Sequence, residues 1–167
     1  MNAGMKRIFL IRHGKSSWDN PELSDKERPL KKRGKQDAEL MGKVLKKHGV
    51  RAQHILSSPA ERARATAKRI AAEIAFEKKI EISKLLYMEG VENIFEAIRT
   101  LDDKTATAFL VGHNPDFTEL LNRLSEKDIE NMPTCGVAGV EFDIQSWKQA
   151  AFGNGRMFFY DFPSRHR

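Results

Sequence analysis

The chain has almost none of the features that mark a secreted or membrane-bound protein. Cys135 is the one cysteine in 167 residues, so no internal disulfide can form, and a reducing compartment, the cytoplasm, is the expected setting. A cysteine phosphatase would carry an arginine six residues past its nucleophile; Glu141 stands there instead, and a small buried side chain is the simpler role for Cys135. Long apolar runs are missing as well. The first, Ile8 to Ile11, is too short for the core of a signal peptide and far too short to span a bilayer, so no membrane association is expected. There is no internal repeat, no low-complexity linker, no P-loop and no carboxylate cluster suited to a metal, so no metal or cofactor is expected. The formal net charge of +6 would suit nucleic acid, an acidic protein surface or a phosphorylated substrate. The aromatic-plus-basic pattern of an RNA-binding sheet and any zinc-finger spacing are both lacking, which turns the expectation away from nucleic acid.

What is present describes one ordinary globular domain over 1–167, with 40% hydrophobic and 31% charged residues. Met1 to Gly4 are expected to be disordered, Met5 could serve as an alternative start, and a monomer is the default expectation. Apolar runs alternate with segments of helical period, the pattern of an α/β domain with a mainly parallel sheet between helical layers. Lys6 to Arg12 reads as a central strand, apolar on both faces. A polar loop runs from Gly14 to Pro29. Leu30 to His48 reads as a helix with Ala38, Met41, Leu45 and His48 on one stripe and Gly49 just past its end. His54 to Ser57 is a second strand. Ser58, Pro59 and Glu61 read as a capped helix start, with Ala63, Ala67, Ile70 and Ile74 as the buried stripe. Glu81 to Leu86 reads as a third strand, Val91 to Leu101 as a helix and Thr107 to Val111 as a fourth strand. Asn114 and Pro115 then open a helix carrying Phe117, Leu120, Leu121 and Leu124. After Gly136 the period changes to two, at Ala138, Val140, Phe142 and Ile144. With Gly153-Asn154-Gly155 as a turn and Arg156 to Phe162 as a strand, this predicts an antiparallel edge.

The residues just past the strand ends carry the chemistry. Arg12 and His13 close the first strand, Arg62 lies in the first turn after the second, and His113 follows the fourth. In a parallel sheet these positions share the carboxyl edge, where α/β proteins bind ligands. Taken singly, each has a bland reading as a structural histidine or a surface arginine; their convergence on one edge makes those readings poor together. Guanidinium forks match phosphoryl oxygens and stay charged, helix N-termini favour anions, and an imidazole is largely neutral at pH 7.

Three motifs in a fixed order carry a family resemblance. Leu10-Ile11-Arg12-His13-Gly14-Lys15-Ser16, the run from Ser57 to Ala67, and Val111-Gly112-His113-Asn114-Pro115 together resemble the histidine phosphatase superfamily. Arg28-Pro29-Leu30 with Arg33-Gly34 narrows the likeness to the SixA-type phosphohistidine phosphatases, over about Met5 to Phe162. The resemblance implies a phosphoglycerate-mutase-like three-layer α/β/α fold without the large insertions of the mutases and acid phosphatases. It also implies a metal-independent two-step reaction. His13 accepts the phosphoryl group, Arg12, Arg62 and His113 hold its oxygens, and water releases it. Relatives with alkoxide leaving groups use an acid beyond the third strand. Glu89 lies in that region and Asp19 is a second candidate, each also readable as a surface carboxylate. Ser16 either donates to phosphate or steadies the loop, and Trp18 is either a loop anchor or a wall of the site. Lys31, Lys32 and Arg33 open a helix against its dipole, as a steering rim or a solvated face. The implied substrate is phosphohistidine in a protein. A small phosphorylated metabolite, such as a sugar phosphate or nucleotide, is the alternative, and a non-catalytic binder of phosphate or RNA is a third reading.

Overall fold

The computed structural model describes residues 5–167; residues 1–4, where disorder was expected, lie outside the described residues. Six strands form one sheet: β1 (Met5–Arg12), β2 (His54–Ser57), β3 (Glu81–Ile82), β4 (Thr107–Gly112), β5 (Val137–Asp143) and β6 (Arg156–Asp161). Their order is β3-β2-β4-β1-β5-β6. The first four strands of that order run parallel, and β5 lies antiparallel to both β1 and β6. Four helices cover the sheet: α1 (Lys32–Lys47), α2 (Glu61–Glu73), α3 (Val91–Arg99) and α4 (Asp116–Ser125).

β1 and β4 are apolar on both faces because both faces are covered. Phe9, Ile11, Phe109 and Val111 pack against Met41 of α1 and Ile70 of α2. Ile8, Leu10, Ala108 and Leu110 pack against Ile94 of α3 and Phe117 and Leu120 of α4. The result is the expected three-layer α/β/α arrangement with an antiparallel edge. Register then fixes the site. Arg12 lies opposite Gly112, and Ser57 opposite Val111, so residues 13, 58 and 113 emerge side by side at the carboxyl edge.

Several boundaries differ from the sequence reading, each for a local reason. The helix predicted from Leu30 begins at Lys32, because Leu30 bridges to Ser16 and the Lys31 N–H reaches the Lys15 carbonyl. His48, expected on the buried stripe, caps the end of α1 and is exposed. Ser58 does not cap α2: Ala60 is the N-cap residue, and the helix starts at Glu61. The strand predicted over Glu81 to Leu86 shrinks to two exposed residues, followed by a 3₁₀ turn at Lys84–Leu86. β5 is buried along both faces up to Phe142, since β1 and β6 flank it and helices lie above and below. Its link to β6 is longer than a tight turn and contains a 3₁₀ turn at Trp147–Gln149.

Candidate active site

The carboxyl ends of β1, β2 and β4 form the floor of an open cleft of about 440 Å³. His13 sits in that floor with 9% of its surface exposed. Its N–H donates to the Gly112 carbonyl and its own carbonyl accepts from Cys135 N–H, so the main chain is pinned on both sides. The ring nitrogen Nδ1 lies 2.6 Å from the Gly14 carbonyl oxygen. A carbonyl can only accept, so Nδ1 carries the proton and Nε2 holds the free lone pair. Burial pushes His13 down to about 4. The bond to Gly14 opposes that fall, and the charges of Arg62, Arg12 and Arg28 add to it. At neutral pH the ring is therefore uncharged and nucleophilic.

Gly14 is required for this placement. A Cβ there would meet the Gly34 carbonyl oxygen at 2.8 Å, and one on Gly34 would meet the Lys15 carbonyl oxygen at 2.3 Å. The loop leaving β1 thus lies directly against the first turn of α1. Thr66 of α2 ties the same loop down: its hydroxyl accepts from Gly14 N–H at 3.0 Å and donates to the Arg62 carbonyl at 2.8 Å.

His113 stands beside His13, with ring centroids 5.1 Å apart. Its Nε2 is 2.7 Å from the Ser58 hydroxyl, which also accepts from Ala60 N–H at 3.1 Å. Burial, then the neighbouring His13 and Arg62, push His113 down to about 3. The hydroxyl and Nε2 share one hydrogen bond whose direction follows the tautomer of the neutral ring. Ser58 thus orients His113, a role that its likeness to a helix cap concealed.

Arg12 donates from Nη1 to the Met132 carbonyl at 2.8 Å, while its buried Nε has no hydrogen-bond partner among the described residues. Arg62, 6% exposed, points into the cleft from the first turn of α2. It meets Asp25, whose backbone carbonyl accepts from Nη1 at 2.6 Å and whose Oδ2 accepts from Nη2 at 2.9 Å. The same carboxylate accepts from Tyr87 Oη at 2.7 Å and from Arg28 Nη1 at 3.0 Å. Burial pushes Asp25 upward, but the Tyr87 hydroxyl and the Arg62 and Arg28 guanidiniums outweigh it and hold the carboxyl well below the usual range. Arg28 also donates to the Ser16 hydroxyl at 2.6 Å, which leaves Ser16 on the cleft wall as part of the loop's own bonding.

All four residues expected at the strand ends, Arg12, His13, Arg62 and His113, line the one cleft. Glu89 and Asp19 are exposed and lie outside its lining; Asp25 is the one carboxylate among the described residues that line it. Lys31 reaches the rim, whereas Lys32 and Arg33 face solvent. Trp18 is a wall with an open face. It is 72% exposed, and the Arg28 guanidinium stacks over its ring at 3.2 Å from the centroid. Met88, 76% exposed, stands on the same rim. Sequence reasoning passed over Asp25, Arg28, Tyr87 and Ser58. One signal was available: Ser24-Asp25-Lys26-Glu27 has capping-box spacing, and it does fold as a 3₁₀ turn that presents Asp25.

A neutral imidazole with one bare nitrogen, enclosed by guanidiniums and a second imidazole, can attack an anionic electrophile and hold its oxygens. Residues 8–87 match the family model of the histidine phosphatase superfamily, branch 1. The chain belongs to that superfamily and is similar to its SixA-type branch. The structure of the protein histidine phosphatase SixA complexed with tungstate matches at a TM-score of 0.84 and 24% identity, covering 96% of this chain and 99% of that one. A SixA protein from Agrobacterium tumefaciens matches at a TM-score of 0.80 and 26% identity, over 95% and 98% of the two chains. An uncharacterised chloroplastic protein of Arabidopsis thaliana is 33% identical over 156 residues, 87% of this chain and 70% of the relative. No helix among the described residues is long and apolar enough to cross a membrane.

Proposed function

We propose that this protein is a metal-independent phosphatase that removes the phosphoryl group from phosphohistidine in proteins, through a phosphohistidine formed on His13. The observation that carries the reading is the tautomer of His13: Nδ1–H is tied to Gly14 and Nε2 is bare, in a cleft lined by Arg12 and Arg62. In the first step His13 Nε2 forms a bond to phosphorus as the substrate's P–N bond breaks. When the substrate ring carries its proton, it leaves as neutral imidazole, so one imidazole replaces another and no general acid is needed. In the second step water adds its oxygen to phosphorus, the Nε2–P bond breaks, both water protons leave on the phosphate, and His13 returns to its starting tautomer. Arg12, Arg62 and His113 hold the non-bridging oxygens through both steps.

Two features favour this substrate class. Asp25, the lining carboxylate, holds no proton at neutral pH, and Glu89 and Asp19 lie away from the lining, so an alkoxide leaving group would lack a donor. The rim bears two exposed apolar side chains, Trp18 and Met88, a surface better suited to polypeptide than to a polyhydroxylated metabolite. The buried single cysteine fits a cytoplasmic setting. The test compares turnover of a histidine-phosphorylated protein with a panel of sugar phosphates and nucleotides, with trapping of phosphorylated His13 by mass spectrometry. The phosphoprotein should exceed every metabolite in kcat/KM. A metabolite ahead by orders of magnitude would overturn the substrate, and salt-sensitive RNA binding that persists in His13→Ala without any turnover would overturn the enzyme.

A further inference from the structure

The cleft carries an anion of its own. Five cationic side chains line it, Arg12, Lys15, Arg28, Lys31 and Arg62, against the single carboxylate of Asp25 among the described residues. Both terminal nitrogens of Arg62 donate to Asp25, one to the backbone carbonyl and one to Oδ2, and Arg28 donates to Oδ1. The Tyr87 hydroxyl fixes the carboxylate from a third direction. Resting on the reading of this cleft as a phosphoryl site, we propose that Asp25 is a built-in counter-charge that competes with phosphate for Arg62 and Arg28, and so sets how readily the product leaves.

Two guanidiniums facing a dianion in a half-buried cleft form a strong phosphate trap, because charge-assisted bonds there are screened less than in bulk water. A hydrolase turns over only if that trap also opens. Asp25 takes donors from both arginines and places a negative charge beside them, which weakens anion binding in the resting cleft and gives the arginines a partner when phosphate departs. Its attachment also suits exchange. It sits on a short 3₁₀ turn between β1 and α1, with a side chain 39% exposed, so the carboxylate can yield to an incoming anion without disturbing the core. As an ionised group it has no proton to give, which separates this role from that of a general acid.

A rival role, in which Asp25 is merely a strut that keeps Arg62 in place, predicts the opposite sign for the same substitution, and this makes the test sharp. Inorganic phosphate binding to the full chain is measured by isothermal titration calorimetry for wild type, Asp25→Asn and Asp25→Glu. Asp25→Asn should tighten phosphate binding roughly tenfold, about 1.4 kcal/mol, with KM and kcat for phosphoramidate both falling as release becomes limiting. Asp25→Glu, which keeps the charge, should stay within about threefold of wild type. The tightening should shrink in an Arg62→Ala background, because it acts through that side chain. Should Asp25→Asn fail to fold, Asp25→Ser removes the same charge and must show the same direction. Weaker or unchanged phosphate binding in the neutral variants overturns the proposal, as does a wild type that binds no phosphate. Orthophosphate is the product of any phosphatase, so a wild type that prefers metabolites would refute the phosphohistidine reading and leave this result standing.

Discussion

His13 and His113 are held in the floor of the cleft by the paired ends of β1 and β4, whereas Trp18 and Met88 stand on its rim with most of their surface in water. The floor is positioned by main chain. His13 is bonded through both N–H and C=O, and a slip of β1 by one residue would turn Phe9 and Ile11 to the opposite face of the sheet. The rim is positioned by single contacts on loops. Trp18 rests on Arg28, and Met88 takes a left-handed backbone (φ 57°), a conformation that costs a non-glycine residue about 1 kcal/mol. The contrast assigns the two regions different tasks. On the proposed function, the groups that would meet the phosphoryl group are fixed by the fold itself, and those that would meet the rest of the substrate can change without disturbing them.

His13→Ala should lower turnover by roughly 10⁴-fold or more, while the circular-dichroism spectrum stays that of the folded chain. Activity within tenfold of wild type would show that the bond to phosphorus is not made on this ring. A smaller effect belongs to the rim. Met88→Ala should raise KM for a histidine-phosphorylated protein about fivefold, the worth of ~1 kcal/mol of lost apolar contact, and raise it less for phosphoramidate. Equal losses on both substrates would erase the distinction between floor and rim. The smallest effect is on stability. An unfolded histidine takes up its proton near pH ~6.5, but folded His13 stays neutral down to about 4 and His113 to about 3. The unfolded chain therefore binds more protons across that window, and stability falls as pH drops from about 6.5 towards 4. Urea midpoints at pH 7 and pH 5 check this, with the lower value expected at pH 5. Identical midpoints would mean that these rings are not buried.

Much of the floor could be read from sequence, because strand ends are where composition and geometry coincide. Arg12, His13 and His113 end apolar runs, and Arg62 opens a helix, so a parallel sheet brings them together whatever the loops do. The groups around them were hidden by distance. Asp25 reaches Arg62 across 37 positions and Tyr87 across 62, from a loop with no period to read. Ser58 matched a helix-cap pattern, and the pattern concealed its bond to His113. The over-long β3 has a similar origin: Ile82, Leu85 and Leu86 sit at spacings of three and four, a helical interval rather than an alternating one, and the chain folds there as a 3₁₀ turn. His48 follows Leu45 at helical spacing, but α1 ends before it, so the stripe no longer applies.

The brevity of β3 has a bearing on how the molecule behaves in a crowded solution. An open sheet invites a second chain to dock along its outermost strand and extend the hydrogen-bonding ladder, the first event in much aggregation. Here that border offers only Glu81 and Ile82 as paired backbone, preceded by Lys78 and Lys79, and the chain curls away at once. An intruding strand would find little template and a pair of positive charges, so this side of the sheet is guarded against growth without any element being set aside to cover it.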